Sequence, residues 1–309
     1  MNPNTKIKVV GVGGSGSNAV SRMMKYKIPG VESIAINTDA QDLTKARANL
    51  KLRIGRKITQ GLGSGMNPEI GKAAAEEQRE EIKNILKNSD MIFVACGLGG
   101  GTGSGAAPVV AEIAKSSGAL TVAVVTKPFS FEGTHRRKIA ENSLKRLKEK
   151  VDTLIVIEND KLLTSLNPET PIANAFWACD EILREAVRGI SDLITKPGII
   201  NVDFADIKTI IKNSGTALFG VGHAGGKNRA HDAAMAAIKS PLLDVSIKGA
   251  SGILFNVSGG KDISLAEIEE VGKIITQEAK PGAKIIFGAV HDESLQKEEV
   301  KVTVIATGF

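Results

Sequence analysis

Cysteine is nearly missing from this chain. Cys96 and Cys179 are the two present in 309 residues, too few for a disulfide framework, and they point to a reducing compartment. Aromatic side chains are scarce at 4%, so the core must be built from Ile, Val, Leu and Ala. No unbroken apolar run reaches the ~18 residues of a membrane span. The opening "MNPNTKIKVVGVGG" lacks the apolar stretch of a signal peptide. A globular, cytoplasmic protein without direct membrane insertion is expected. Metal-ligand clusters are lacking too: His223, His231 and His291 stand apart and read as surface or packing residues, with no metal ligand predicted. The net charge of +6 could signal nucleic acid. Yet the lysines are dispersed, and the densest basic cluster, "THRRKIAENSLKRLKEK" (134–150), is interleaved with Glu141 and Glu149. It reads as a solvated helix face, and no nucleic-acid partner is expected.

Glycine, by contrast, is abundant at 33 residues, and apolar runs alternate with helical ones. "IKVVGV" (7–12), "SIAIN" (33–37), "MIFVAC" (91–96), "LTVAVVT" (120–126) and "TLIVIE" (153–158) are apolar almost throughout, which marks parallel strands buried on both faces. Helices are expected at 67–87, 104–117 and 136–149. This alternation implies a doubly wound α/β sheet with its ligand at the carboxyl ends of the strands. One long helix follows, 169–195, with Thr170 placed to cap it and Pro171 at its first position. It should stop near Pro197. A second, smaller α/β domain has strands near 216–222, 252–258, 284–290 and 300–306 and helices near 228–239 and 264–279. The expected domains are 1–170, a central helix with its following loop at 171–213, and 214–309.

Two glycine clusters each join a strand to a helix: "GVGGSGSNAV" from Gly11 and "GLGGGTGSGAAP" from Gly97. A helix N-terminus offers unpaired N–H groups and positive dipole, and glycine lets a phosphate approach the backbone. Gly97–Gly105 therefore reads as a phosphate cradle, with Thr102 and Ser104 adding hydroxyl donors, and a side chain at Gly100 or Gly101 should block the approach. A flexible turn is the plainer alternative. The stretch Gly11–Gly16 also fits the dinucleotide pattern G-x-G-x-x-G, with Asp39 after the next strand. Alone it would suggest a nicotinamide-dependent oxidoreductase. A second glycine loop suits a longer phosphate chain, however, and no Walker A lysine motif occurs.

At this point "GLGGGTGSGAAPVVAEIAK" resembles the signature loop of the FtsZ family, the prokaryotic tubulin-like cell-division GTPases. "INTDAQDL", "VVTKPFSFEG", "GISDLI", "NVDFADIKTI" and the terminal "VTVIATGF" match in order, so the similarity spans nearly the whole chain. The resemblance implies a tubulin/FtsZ-like GTP-binding domain that takes GTP or GDP with Mg2+. Gly13, Gly14, Ser15, Gly16, Ser17 and Asn18 would form the first nucleotide loop, and Gly99, Gly100, Gly101, Thr102, Gly103 and Ser104 would hold the phosphates. Glu132 and Arg136 would contact the ribose, and Asn159, Phe176 and Asp180 would surround guanine. An Asp carboxylate can accept from guanine N1–H and N2–H, a donor pair that adenine lacks. Phe176 and Asp180, four apart, share a helix face.

Hydrolysis is assigned to "NVDFADI", with Asn201, Asp203 and Asp206 as the catalytic candidates; Asp203 could also simply cap the next helix. The helix from Phe176 to Thr195 is ~20 residues, roughly 30 Å, so Asp203 would lie beyond reach of its own chain's nucleotide and within reach of the next chain's. Head-to-tail stacking that does not close makes a filament. The expected function is a self-assembling cell-division GTPase that hydrolyses GTP at subunit junctions at midcell. A nucleotide-binding tubulin-like protein that does not hydrolyse is the remaining alternative, opposed by the intact Asp203/Asp206 pair. The chain's expected partner is itself; other division proteins would be engaged through the C-terminal tail usual in the family, which is not in this chain.

Overall fold

Runs that are apolar on both faces become the parallel strands of the first unit. The structure, a computed structural model, describes residues 5–26, 28–163, 166–167, 169–240, 242–243 and 247–309. Compact units comprise 5–187 and 188–309. In the first, β1 (Ile7–Val12) leads into α1 (Gly13–Lys25), β2 (Val31–Asn37), α2 (Ala40–Lys45), β3 (Leu50–Arg53), α3 (Pro68–Glu77), α4 (Arg79–Leu86), β4 (Met91–Gly97), α5 (Gly101–Ser116), β5 (Leu120–Lys127), α6 (Thr134–Lys148), β6 (Thr153–Glu158) and α7 (Asn159–Leu163). The strand order is β3-β2-β1-β4-β5-β6, and every pairing in it is parallel. Chain order reverses between β1 and β4, the position at which a doubly wound sheet opens a crevice for ligand.

Core packing follows from the pleat. Val10, Val12, Ile34, Ile36, Ile92 and Val94 are buried in one cluster with α3–α6, through Ala74, Ile82, Ala107 and Leu147. On the other face Ala35 packs with Leu43 of α2.

Two helices differ from expectation. The segment 67–87 is not one helix: Gln78 leaves helical geometry at φ −103°, ψ 23°, and its buried Oε1 accepts the Gly55 N–H at 2.5 Å. The helix expected from 104 starts at Gly101 and contains Pro108. Proline has no N–H to offer the Ser104 carbonyl. That carbonyl accepts the Ser143 Oγ–H of α6 instead, at 2.7 Å, so the proline docks one helix on another.

The element α8 (Ile172–Thr195) contains the boundary between the units. The second unit continues with β7 (Gly198–Ile200), α9 (Phe204–Ile211), β8 (Gly215–Gly225), α10 (Arg229–Ile238), β9 (Gly252–Gly259), α11 (Leu265–Gln277), β10 (Lys284–His291) and β11 (Glu299–Thr307). Its order β8-β11-β9-β10-β7 is mixed, with only β9 and β10 parallel. Phe255, Val257, Val302 and Val304 form its core with the alanines of α10. Arg229, buried at the start of α10, donates to Asp262 at 2.7 Å and to Glu267 at 2.5 Å.

Candidate functional site

In the first unit, β1 passes straight into α1, and β4 reaches α5 through three residues. Val12 and Gly100 occupy the N-cap positions, and neither supplies a side-chain cap. Both helix N-termini therefore keep N–H groups and positive dipole available at the crevice beside β1 and β4. Gly13 has φ +75°, and a Cβ there would stand 2.9 Å from the Gly103 nitrogen. The two loops thus abut, and glycine is what lets them. Gly99, at φ +101°, takes the other sharp turn.

A cavity of about 620 Å³ opens over these loops. Gly13, Gly14, Ser15, Asn18, Gly100, Gly101, Thr102 and Gly103 line it at one end, and Glu132, Arg136, Asn159, Phe176 and Asp180 at the other. Gly16, Ser17, Gly99 and Ser104 are not in its wall. Ser104 is wholly buried, and its Oγ accepts the Gly99 N–H at 2.9 Å. It shapes the loop from behind rather than facing the cavity. Thr102 Oγ1 shares hydrogen bonds with Thr38 Oγ1 (2.7 Å) and Ser64 Oγ (2.9 Å).

The glycines of this loop divide into two kinds. A Cβ on Gly101 would strike Ser64 Oγ and lie 2.7 Å from the Asn67 nitrogen; one on Gly105 would strike the Pro68 carbonyl and lie 2.7 Å from the Lys72 nitrogen. These positions are small because α5 packs closely on α3 and the segment before it. A Cβ on Gly100 meets nothing within 4 Å, and its φ −91°, ψ 168° suits any residue. The sequence-based expectation therefore splits: Gly100 tests the cradle alone, whereas Gly101 also tests the fold. Gly105→Ala should lower stability by roughly 1–3 kcal/mol through overpacking. Gly100→Ala should melt like the wild type and bind nucleotide at least about tenfold more weakly, ~1.4 kcal/mol. Thermal melts and equilibrium binding on the two variants check this; early melting of Gly100→Ala would contradict it.

At the other end, a 3-10 turn at Ser130–Glu132 precedes α6. Glu132 accepts the Phe129 N–H at 2.9 Å and pairs with Arg136, also at 2.9 Å. Phe176 meets Phe129 edge-on, with centroids 5.3 Å apart, and stays 40% exposed, a free aromatic surface on the cavity. Asn159 is buried, and its Oδ1 has no protein partner. Asp180 is buried as well, and burial pushes its carboxyl up to about 6, against the opposing pull of Arg22. Arg22 Nε lies 2.9 Å from Asp180 Oδ2.

Sequence reasoning missed Arg22, Asp42, Cys179 and the segment Leu62–Met66, all in the cavity wall. The "QGLGSGM" stretch carried a signal in its three closely spaced glycines, and Gln60, Gly61, Gly63, Gly65 and Met66 all have positive φ. Asp39 and Asp42 are also in the wall: Asp39 Oδ1 caps α2 by accepting the Asp42 N–H at 2.9 Å, and a Cβ on Gly14 would touch Asp42 Oδ2. Among the described residues no group of three His, Cys, Asp or Glu could cage a metal.

The catalytic candidates belong to the other unit. Asp203 stands at the N-cap of α9 without making a side-chain cap, and Asp206 lies in the first turn. Both are exposed. Asn201 Oδ1 accepts the Gly198 N–H at 2.8 Å and so fastens the preceding turn. None of the three is in the cavity wall.

The GTPase domain of the tubulin/FtsZ family matches residues 6–167, and the C-terminal domain of the FtsZ family matches residues 215–309. Among solved structures, an empty FtsZ dimer from M. jannaschii is 50% identical, with a TM-score of 0.95 over 98% of this chain and 88% of that one. A tryptophan-to-tyrosine mutant of the same organism's FtsZ gives 50% identity and a TM-score of 0.95, over 99% and 91% of the two chains. A GTPγS-bound CetZ2 protofilament from Haloferax volcanii shares the fold at 23% identity, TM-score 0.83, over 98% and 94%.

Proposed function

The chain belongs to the tubulin/FtsZ family, and from that premise we propose how its nucleotide is held and how its active site is completed. The protein is a GTP-dependent, self-assembling GTPase of cell division. One observation carries the reading of the site: a single cavity has two uncapped, glycine-lined helix N-termini at one end and a buried carboxylate beside a free aromatic face at the other.

The phosphates of GTP are assigned to the N-termini of α1 and α5, where backbone N–H groups and dipoles meet negative charge without a lysine. The ribose falls to Glu132 and Arg136. Guanine packs on Phe176 and gives N1–H and N2–H to Asp180, with Asn159 beside it. Two wall carboxylates, Asp39 and Asp42, fit an ion such as Mg2+ that keeps several waters and takes its other ligands from phosphate. When bound, Mg2+ supplies charge neutralisation at the phosphates.

Phosphoryl transfer then needs an oriented water. No carboxylate of the 201–206 segment lies in the cavity wall, so Asp203 and Asp206 are assigned to the nucleotide of a second chain. They accept hydrogen bonds from the attacking water and aim it, while Asn201 holds the turn that presents them. A head-to-tail junction of this kind repeats into a filament, which acts at the midcell division site together with other division proteins. Sedimentation tests the reading: polymer should form with GTP and not with ATP, whose adenine offers Asp180 no donor pair. Equal pelleting with both would overturn it.

A further inference from the structure

Arg22 of α1 and Tyr26, which caps the C-terminal end of that helix, lie four residues apart, and Asp180 and Arg184 four apart on α8. That spacing places each pair on one helix face, and the two faces meet as two rungs. In the first, Arg22 Nε donates to Asp180 Oδ2 at 2.9 Å. In the second, the Arg184 guanidinium lies over the Tyr26 ring, 4.7 Å from its centroid. Arg184 is itself buried and fastened along its own helix, to Glu181 at 3.0 Å through Nε and to Glu185 at 2.5 Å. Arg22 and Asp180 face the cavity, whereas Tyr26 and Arg184 do not. The second rung therefore backs the first and touches no ligand.

We propose that Arg22, backed by the Tyr26–Arg184 contact, is a positioning residue for base selection: it fixes the Asp180 carboxylate in the orientation that accepts both donors of the guanine edge. This rests on the assignment of Asp180 to guanine. Each carboxylate oxygen has two lone-pair directions, so Oδ2 can accept from Arg22 and still accept from the base. A carboxylate free to rotate would meet one donor well and the second poorly. Arg22 thereby makes the guanine 2-amino group count in binding. Because α1 also presents its N-terminus to the phosphates, the same rigid helix spaces phosphate and base recognition.

Charge works in the same direction. The charged and titratable groups near Asp180 are Arg22 from α1, Cys179, Glu181 and Arg184 from α8, and Glu132 and Arg136 in the same cavity wall. Burial pushes the carboxyl up and Arg22 pulls it down. Guanine needs the ionised acceptor, so binding weakens as pH falls through the carboxyl's pKa. Without Arg22 that pKa rises, and the loss sets in at higher pH.

The test measures GDP and IDP binding to the full chain, kept below the concentration of assembly, from about pH 5 to 8. IDP lacks only the 2-amino group. Arg22→Met should move the low-pH midpoint of GDP binding up by about one unit and cut the GDP-over-IDP preference several-fold. Arg22→Lys should keep most of the pH profile while losing part of the preference. Tyr26→Leu should lower the preference more modestly. Arg22 is partly exposed, at 26% of its side chain, and circular dichroism establishes the fold of each variant before binding is read. An unchanged midpoint and an unchanged preference in folded Arg22→Met would overturn the proposal. Asp180→Asn separates the two levels: if it too leaves the preference unchanged, the assignment of Asp180 to guanine has failed. If it abolishes the preference and Arg22→Met does nothing, only the positioning role has failed.

Discussion

Asp203→Ala should bind GTP like the wild type and hydrolyse it about 10²- to 10³-fold more slowly, a loss of ~3–4 kcal/mol of transition-state stabilisation. Binding is spared because the cavity wall contains nothing from the 201–206 segment. Stability is spared because Asp203 is exposed and makes no side-chain cap to α9, so alanine removes no hydrogen bond of the fold. What is lost is the acceptor that aims the water. With that acceptor assigned to a neighbouring chain, wild-type turnover per subunit should rise with protein concentration and fall away on dilution. Filaments of Asp203→Ala should persist, because their GTP is not consumed. Complementation gives the sharper readout. Gly100→Val should block the phosphates at a position where a Cβ meets nothing within 4 Å, and it keeps a sound Asp203, whereas Asp203→Ala keeps a sound pocket. Neither alone should turn over GTP, and a mixture should recover part of the activity at junctions that join the two sound halves. A turnover per subunit that stays flat down to dilutions without polymer would show each chain to be self-sufficient.

The parallel strands of the first unit were legible because burial on both faces leaves an uninterrupted apolar run, seen in "MIFVAC" of β4. The glycine junctions were legible for a similar reason: so many flexible residues between a strand and a helix demand a purpose. Their division of labour was not. Nothing in "GLGGGTGSG" distinguishes Gly100, which faces open space, from Gly101 and Gly105, which face α3 and the turn before it. That distinction depends on which helix packs across the loop. The place of Ser104 was equally hidden: its Oγ accepts the Gly99 N–H behind the cavity wall. Short β3 and β7, four and three residues long, have too little length to carry a period. Arg22 carries no comparable signal in the sequence. Its partner is far away in sequence, and no local spacing announces an ion pair between two helices.

Asp180→Asn should exchange guanine for xanthine. With Asp180 assigned to guanine as proposed, the wild-type carboxylate accepts twice, from N1–H and from the 2-amino group. Asparagine presents one acceptor and one donor in nearly the same shape. Facing guanine, its NH2 opposes the 2-amino group, and two donors are left without an acceptor between them. Facing xanthine, the same NH2 donates to the C2 carbonyl while Oδ1 accepts from N1–H. Arg22 settles which way the amide turns, because its Nε, 2.9 Å from Oδ2, needs an acceptor and so draws Oδ1 to that place. Each unpaired polar group in this buried corner is worth about 1–3 kcal/mol, so the preference between GTP and XTP should invert through a change on the order of 10³-fold or more. The pH response should change with it. Burial pushes the wild-type carboxyl up to about 6, so GTP binding should weaken below that pH as the acceptor is protonated; asparagine does not titrate, so this residue adds no protonation step to nucleotide binding by the variant. Sedimentation supplies a second readout, with the variant pelleting in XTP and not in GTP. A variant that still prefers GTP would place Asp180 away from the base edge, and guanine recognition would have to be sought at Asn159 instead.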